Sequence, residues 1–168
     1  MQCPVKEVHV REIARKLNKS PTTISKCLKK YERENLLISE KKLNHLVFKA
    51  NNEGRSFKLE KLYYNLKNIN DSGIMSYLER ELNYPEAIGI FGSFSKGEDA
   101  EKSDIDIFII SSSQKKPDLS KYEKILKHPI HLLIFSREDV EKTKKKNPEL
   151  LNNIISGIIL SGKWRLFK

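Results

Sequence analysis

The sequence predicts an α/β (α+β) fold of two domains, one at 1–70 and one at 71–168, the second with a small mixed sheet flanked by helices. In the first domain, apolar residues recur at helical spacing. In the second, short apolar runs typical of buried strands alternate with helical patterns. The polar stretch Asn70–Gly73, which ends in glycine, sets the boundary.

The charge follows the same division. Residues 1–70 hold 16 Lys and Arg against 7 Asp and Glu, and residues 71–168 hold 16 against 15, so almost all of the net charge of +10 lies in the first domain. Such an excess is typical of a surface that binds nucleic acid, although a solvated lysine-rich surface gives the same balance. The fold of the first domain has to decide between the two.

Composition narrows the class of protein. The 168 residues are 38% hydrophobic, which is enough for globular cores, and no apolar run reaches the length of a membrane span. The first residues lack the apolar core of a signal peptide, so we expect a cytoplasmic protein. Cys3 and Cys27 match no metal or redox motif, and we expect Cys27 to be a small core residue.

Two short helices open the first domain. The first is predicted by an apolar stripe formed by Val10, Ile13, Ala14 and Leu17, and it ends near residues 18–20. Ser20 and Pro21 then supply an N-cap hydroxyl and a proline at the first helical position. The second helix carries the apolar stripe Ile24, Leu28 and Tyr31. Two helices joined by so short a turn suggest a helix-turn-helix.

These helices, followed by the segments 37–39 and 46–50 on either side of a basic connection, resemble a winged helix-turn-helix domain. The resemblance implies binding to double-stranded DNA, although such domains also serve as dimerisation or protein-contact modules. If Ile24 and Leu28 face the core, the outward side of the second helix meets the major groove and the wing meets phosphates. The predicted DNA-binding residues are Thr22, Thr23, Lys26 and Lys30 on the helix and Lys41 and Lys42 on the wing.

Two further helices are expected around the domain boundary. The amphipathic pattern of residues 57–69 predicts a connector that packs on the wing, or a dimer helix, and we expect a homodimer. Ile74, Leu78 and Leu82 restart the pattern and predict a helix that packs on the sheet of the second domain.

A sharp turn follows the first strand of the second domain. Residues 87–91 form a short apolar run that predicts a buried strand, and Gly92-Ser93 ends it. Backbone N–H groups at such a turn carry partial positive charge and suit a phosphate oxygen. Ser93 adds a hydroxyl donor and Lys96 is a further candidate contact, so these three residues form the predicted nucleotide-binding group.

Two carboxylates stand at the start of the next strand. Asp104 and Asp106 precede and enter the apolar run 105–110, and residues two apart on a strand share a face. Two like charges at that spacing repel each other unless a cation lies between them, and hard oxygen ligands suit Mg²⁺ together with substrate phosphates. We therefore predict that these carboxylates hold one or two Mg²⁺ ions and are catalytic.

Gly92-Ser93, ten intervening residues and Asp104-x-Asp106 resemble the signature of the nucleotidyltransferase superfamily related to DNA polymerase beta, and most of all its minimal nucleotidyltransferases. The resemblance covers residues 84–168. It implies Mg²⁺-dependent transfer of a nucleoside monophosphate from a nucleoside triphosphate, with ATP as the expected donor, to a protein hydroxyl. It also implies that the acceptor is often the toxin partner of a toxin–antitoxin pair, with this chain as the antitoxin.

One position departs from the family pattern. Where the superfamily has a third carboxylate, on the strand at 130–135, this sequence has His131. Histidine is a poor Mg²⁺ ligand compared with carboxylate. Three alternatives stay open: His131 is a catalytic general base, two acids suffice, or the site binds nucleotide without turning it over. The alternative function is therefore a catalytically weak or inactive nucleotide-binding transcriptional regulator.

Overall fold

The structure is a computed structural model that describes residues 7–42, 45–113 and 115–164. It divides into two units, Met1–Lys61 and Leu62–Lys168. The helix that contains this division, α3, spans Arg55–Ser72 and also contains the boundary predicted after residue 70. Each unit is described by itself.

The N-terminal unit combines two helices with a small antiparallel sheet. Its elements are β1 (Val8–His9), α1 (Val10–Leu17), α2 (Pro21–Arg33), β2 (Leu37–Lys42) and β3 (His45–Ala50). The strands lie in the order β1-β3-β2. The two predicted helices are confirmed, while the assignment of this unit as a winged helix-turn-helix stays a prediction.

Local sequence explains where α2 begins and what it buries. The Ser20 hydroxyl accepts a hydrogen bond from the Thr23 backbone N–H at 3.1 Å, and Pro21 occupies the first helical position. The core of the unit is formed by Ala14, Ile24, Leu28 and Phe48. The expectation that Cys27 lies in this core is wrong: its side chain is exposed, because it lies about 100° around the helix from Leu28.

A mixed four-stranded sheet forms the centre of the C-terminal unit, as the sequence predicted. Its strands are β4 (Ala87–Phe91), β5 (Ile105–Ile110), β6 (Ile130–Phe135) and β7 (Ile158–Gly162), in the order β6-β5-β4-β7. β5 and β6 are parallel, and the other two pairings are antiparallel. The helices are α4 (Ile74–Glu81), α5 (Ser120–Leu126), α6 (Arg137–Lys146) and α7 (Pro148–Ile155), with a 3₁₀ turn at Phe94–Lys96.

Apolar side chains cover both faces of this sheet. One face packs on α3, α4 and α5 through a cluster that includes Ile88, Ile90, Ile105, Ile107, Ile109, Leu78 and Tyr122. The other face packs on α6 and α7 through Ala87, Phe91, Phe108, Ile110, Val140, Leu151 and Ile154. Gly89 is required on the second face, because a Cβ there would lie 2.4 Å from the Phe108 ring. The strands are therefore fixed in register from both sides.

The register brings three chain segments to one place on the sheet. Asp106 of β5 lies opposite Phe91 at the end of β4 and beside His131 of β6. These residues are 15 and 25 positions from Asp106 in the sequence, so only strand pairing makes them neighbours.

No helix within the described ranges is both long and apolar enough to cross a membrane.

The turn after α4 holds two residues other than glycine in the left-handed region, Asn83 at φ 56° and Tyr84 at φ 55°. This conformation is unfavourable for a side chain with a Cβ, and glycine relieves it. We predict that Tyr84→Gly raises the free energy of unfolding by about 1 kcal/mol in a denaturant titration.

The matched control is Tyr63→Gly. Tyr63 is also exposed but lies inside α3, so the same change should lower the free energy of unfolding by about 0.5 kcal/mol or more. Destabilisation by Tyr84→Gly would contradict the prediction.

Candidate functional site

The backbone of the predicted phosphate turn touches the second carboxylate of the motif. Gly92 has φ +70°, and a Cβ at this position would lie 2.4 Å from Asp106 Oδ2. A real Cβ does not approach an atom this closely, so any side chain at this position would require the Asp106 carboxylate to move. The two halves of the motif, twelve residues apart from Gly92 to Asp104, therefore belong to one site.

Short hydrogen bonds close the turn after Gly92. The Ser93 carbonyl oxygen accepts from the N–H groups of Lys96 at 3.1 Å and Glu98 at 3.0 Å. The Ser95 hydroxyl donates to the Gly92 carbonyl oxygen at 2.8 Å. Sequence reasoning missed Ser95, although a serine three residues after a turn glycine commonly bonds back to the backbone. Of the three predicted nucleotide-binding residues, Gly92 and Ser93 are half-buried and Lys96 is exposed.

A buried side chain from α3 holds the loop between the turn and β5. Asn65 donates through Nδ2 to Asp99 Oδ1 at 2.7 Å and to the Phe94 carbonyl oxygen at 3.4 Å. Asn65 and Asp99 are only 5% and 8% exposed. The sequence reading of residues 96–102 as a plain polar loop missed this anchor, because its two partners lie 34 residues apart.

A second anchor joins the loop to the start of β6. His128 Nδ1 lies 2.8 Å from the Ser103 carbonyl oxygen, and its ring packs edge-on against Phe94 with centroids 4.9 Å apart. The Ser103 hydroxyl accepts from the Ala100 N–H at 2.8 Å. No sequence signal marked His128. Its position two residues before β6 gives it this contact. Ser103, the residue before Asp104, is thus held by hydrogen bonds to its carbonyl oxygen and to its hydroxyl.

Asp106 and His131 form a pair across the parallel strands. His131 Nδ1 lies 3.1 Å from Asp106 Oδ1, and the two side chains are 57% and 26% exposed. Ile105 is buried on the opposite face, whereas Asp104, directly before β5, is exposed. Asp106 thus contacts the glycine turn through one oxygen and the imidazole through the other.

The donor set of the site is two carboxylates and one imidazole. Carboxylate oxygens suit Mg²⁺, which is usually bound through one or two carboxylates plus substrate phosphates. Among residues 7–42, 45–113 and 115–164, no group of three or more His, Cys, Asp or Glu side chains is arranged to hold a metal ion. Asp104 and Asp106 carry the carboxylate oxygens that could hold such an ion.

The predicted DNA-binding residues all lie on the surface of the N-terminal unit. They are Thr22, Thr23, Lys26 and Lys30 on α2 and Lys41 and Lys42 on β2. Lys30 pairs with Glu34 at 3.8 Å. Lys42 contacts Glu7, and this hydrogen bond raises the pKa of Lys42 and lowers that of Glu7. In the part of this unit that the structure describes, Lys26 and Lys41 have no ion pair, so they present the freest positive charges of the set.

Comparison with known proteins agrees with this geometry. The profile of the family described as "Polymerase beta, Nucleotidyltransferase" matches residues 73–164. A Methanocaldococcus jannaschii protein, whose name describes it as a candidate protein adenylyltransferase, is 28% identical over 74 residues, which are 44% of this chain and 74% of that protein.

A crystal structure of a candidate nucleotidyltransferase from Sulfolobus solfataricus aligns with 66% of this chain and 94% of its own, with 17% identity and a TM-score of 0.35. A similarity at this score adds nothing to the assignment. The family profile, in contrast, spans more than half of the chain and includes the Gly92 turn, both aspartates and His131. The chain belongs to the polymerase beta nucleotidyltransferase family.

Proposed function

We propose that this protein transfers a nucleoside monophosphate from a nucleoside triphosphate, with ATP as the donor, to a hydroxyl group of a protein. The observation that carries the proposal is the approach of the Gly92 backbone to the Asp106 carboxylate. A turn suited to phosphate oxygens and a carboxylate suited to a divalent cation meet there, as phosphoryl-group chemistry requires. The matched family supports nucleotidyl transfer.

In this proposal, Gly92 and Ser93 bind phosphate oxygens of the donor through backbone N–H groups and the Ser93 hydroxyl. Asp104 and Asp106 would hold Mg²⁺, which would supply neutralisation of the charge on the phosphates. Asn65 and His128 position the loop that ends at Asp104. Most of the rate enhancement then comes from positioning and charge neutralisation.

His131 takes the role of general base in this scheme. When its Nδ1 donates to Asp106 Oδ1, Nε2 is left as an acceptor, and the ring is more than half exposed to an incoming hydroxyl. The acceptor oxygen bonds to the α-phosphorus, the bond from that phosphorus to the β-phosphate bridging oxygen breaks, and pyrophosphate leaves. The hydroxyl proton passes to His131 Nε2.

A protein acceptor is favoured by the name of the M. jannaschii relative, which describes a protein adenylyltransferase. We propose that the acceptor is the toxin partner of a toxin–antitoxin pair and that this chain acts as the antitoxin in the cytoplasm.

A second function, DNA binding by the N-terminal unit as a winged helix-turn-helix, rests on the excess of basic residues before residue 70 and on the exposure of Lys26 and Lys41. A homodimer reading two half-sites fits this role. With an inactive transferase site, the same unit would make the protein a nucleotide-binding transcriptional regulator.

Transfer of label from α-³²P-ATP to a candidate acceptor protein, made by a neighbouring gene, tests the chemistry. We predict that Asp104→Asn and Asp106→Asn each lower the Mg²⁺-dependent rate at least 100-fold, since each removes a metal-binding charge. His131→Asn should lower it about 100-fold or more at neutral pH if Nε2 is the base.

Two outcomes separate the alternatives. Full activity of His131→Asn would show that two acids suffice without a base at this position. If the unaltered protein binds ATP with Mg²⁺ but labels no acceptor, the regulator function replaces the transferase.

The glycine turn can be tested with a matched pair. We predict that Gly92→Ala abolishes transfer, because its Cβ would strike Asp106 Oδ2, whereas Gly73→Ala leaves the transfer rate within about twofold. Both glycines have positive φ, at +70° and +78°, but a Cβ at Gly73 has open space around it. Both variants should lose about 1 kcal/mol of stability in a thermal melt, so equal activities would contradict the role of the Gly92 contact.

Salt-dependent binding to duplex DNA tests the N-terminal unit. We predict that Lys26→Ala with Lys41→Ala weakens binding and lowers the slope of log K against log salt by about 2, since each phosphate contact releases counterions. Lys121→Ala with Lys124→Ala removes the same charge from exposed positions of the C-terminal unit and should leave the slope unchanged. If both pairs of substitutions lowered the slope equally, DNA binding would depend on the net charge of the protein and not on Lys26 and Lys41.

A further inference from the structure

A second cleft lies at the opposite end of the four-stranded sheet from Gly92. Its walls are the turn after α4, the segment after β5 and the start of α6, and its volume is about 1270 Å³. At the usual rise per residue of a strand, the chain from Asp106 to Ser111 spans roughly 17 Å, which separates this cleft from the Gly92 turn. A ligand in this cleft is therefore not the donor held at Gly92.

In the part of the chain that the structure describes, two of the three basic side chains that line the cleft have no acidic partner, although three acidic side chains, Glu86, Glu138 and Asp139, line it as well. Arg80 and Lys115 line it and are exposed, and neither has an acidic partner within the described ranges. The acidic residues on the walls are engaged: Glu86 pairs with Arg137 at 3.0 Å, Asp139 caps α6 through Ser136, and Glu138 and Asp139 each lie 3.9 Å from Lys142. Arg80 and Lys115 are thus left as the side chains of this cleft that suit an anion.

Arg80 is also oriented. Its Nε donates to the Ser76 carbonyl oxygen at 3.2 Å, one turn back along α4, which leaves the terminal guanidinium nitrogens as donors. A guanidinium used in this way binds phosphate through two parallel hydrogen bonds.

Serine hydroxyls add donors beside these cations. Ser111 Oγ accepts from the Ser113 N–H at 3.0 Å, and Ser113 Oγ accepts from the Lys115 N–H at 3.5 Å. A hydroxyl oxygen that accepts from the backbone keeps its own proton for another acceptor. Ligand oxygens therefore find donors on this wall as well.

Tyr84 presents an aromatic ring at the same cleft. It is 76% exposed, and its backbone is held at φ 55° by a hydrogen bond from its N–H to the Glu79 carbonyl oxygen at 2.7 Å. Backbone strain of this kind concentrates at ligand-binding sites. An exposed ring on a fixed backbone is a surface on which a nucleobase stacks.

We propose that this cleft binds a second nucleotide, distinct from the donor at Gly92, with its phosphates on Arg80 and Lys115 and its base on Tyr84. The ligand class follows from the combination of unpaired cations, hydroxyl donors and an aromatic surface within one cavity. The proposal does not depend on transfer at the first site, since it requires only binding.

Photolabelling of the full chain with 8-azido-ATP tests it. Cleavage after glutamate releases residues 82–86, which contain Tyr84, from the following segment that contains Gly92, so the two sites give separate labelled peptides. We expect both peptides to be labelled. Arg80→Ala with Lys115→Ala should lower the label on 82–86 at least tenfold and leave the Gly92 peptide unchanged. Asparagine tolerates the left-handed backbone at this position. In Tyr84→Asn, unlabelled ATP should therefore protect residues 82–86 less well from the remaining labelling.

The control is Lys121→Ala with Lys124→Ala, which removes two exposed cations from α5 and should leave both labels intact. Circular dichroism establishes that each variant is folded. Absence of label on 82–86, or a label that Arg80→Ala with Lys115→Ala does not reduce, would overturn the proposal. So would displacement of that label by polyglutamate but not by unlabelled ATP, because the cleft would then bind an acidic polypeptide.

Discussion

The contact between the Gly92 backbone and the Asp106 carboxylate is the constraint on which the rest of the C-terminal unit depends. It requires β4 to end at Phe91, opposite Asp106, and a glycine with positive φ to follow at once. A shift of one residue in the β4–β5 register would turn Asp106 to the other face, into the cluster of Ile105 and Ile107. The two apolar layers that fix this register are therefore also what positions the site.

The loop between the turn and β5 is organised by residues far away in the sequence. Asn65 on α3 and His128 before β6 hold it through hydrogen bonds at 2.7 and 2.8 Å. A buried Asn–Asp pair is expensive to leave unpaired, so it specifies a single arrangement of the loop. Asp104 stands at the end of this loop and depends on both anchors for its position.

His131 lies beside the aspartate pair, as the superfamily pattern predicted, and its partner there is Asp106. Its place beside Asp106 in the parallel register gives the imidazole a hydrogen bond to a carboxylate, an arrangement that fixes a tautomer. A third carboxylate at this place would repel Asp106 unless a cation lay between them. The histidine removes that repulsion.

The sequence by itself determined the local elements and the candidate motif. The cap at Ser20, the strands at 87–91, 105–110 and 130–135 and the spacing of Gly92 from Asp104 are all readable over short distances, because periodicity and capping are local. The tertiary structure alone decided that Asn65 and His128 support the site, and that a cleft lined by Arg80 and Lys115 lies at the far end of the sheet. These features arise from pairings between distant residues, and the physical reason that they escape the sequence is that strand register and side-chain packing, not local preference, bring such residues together.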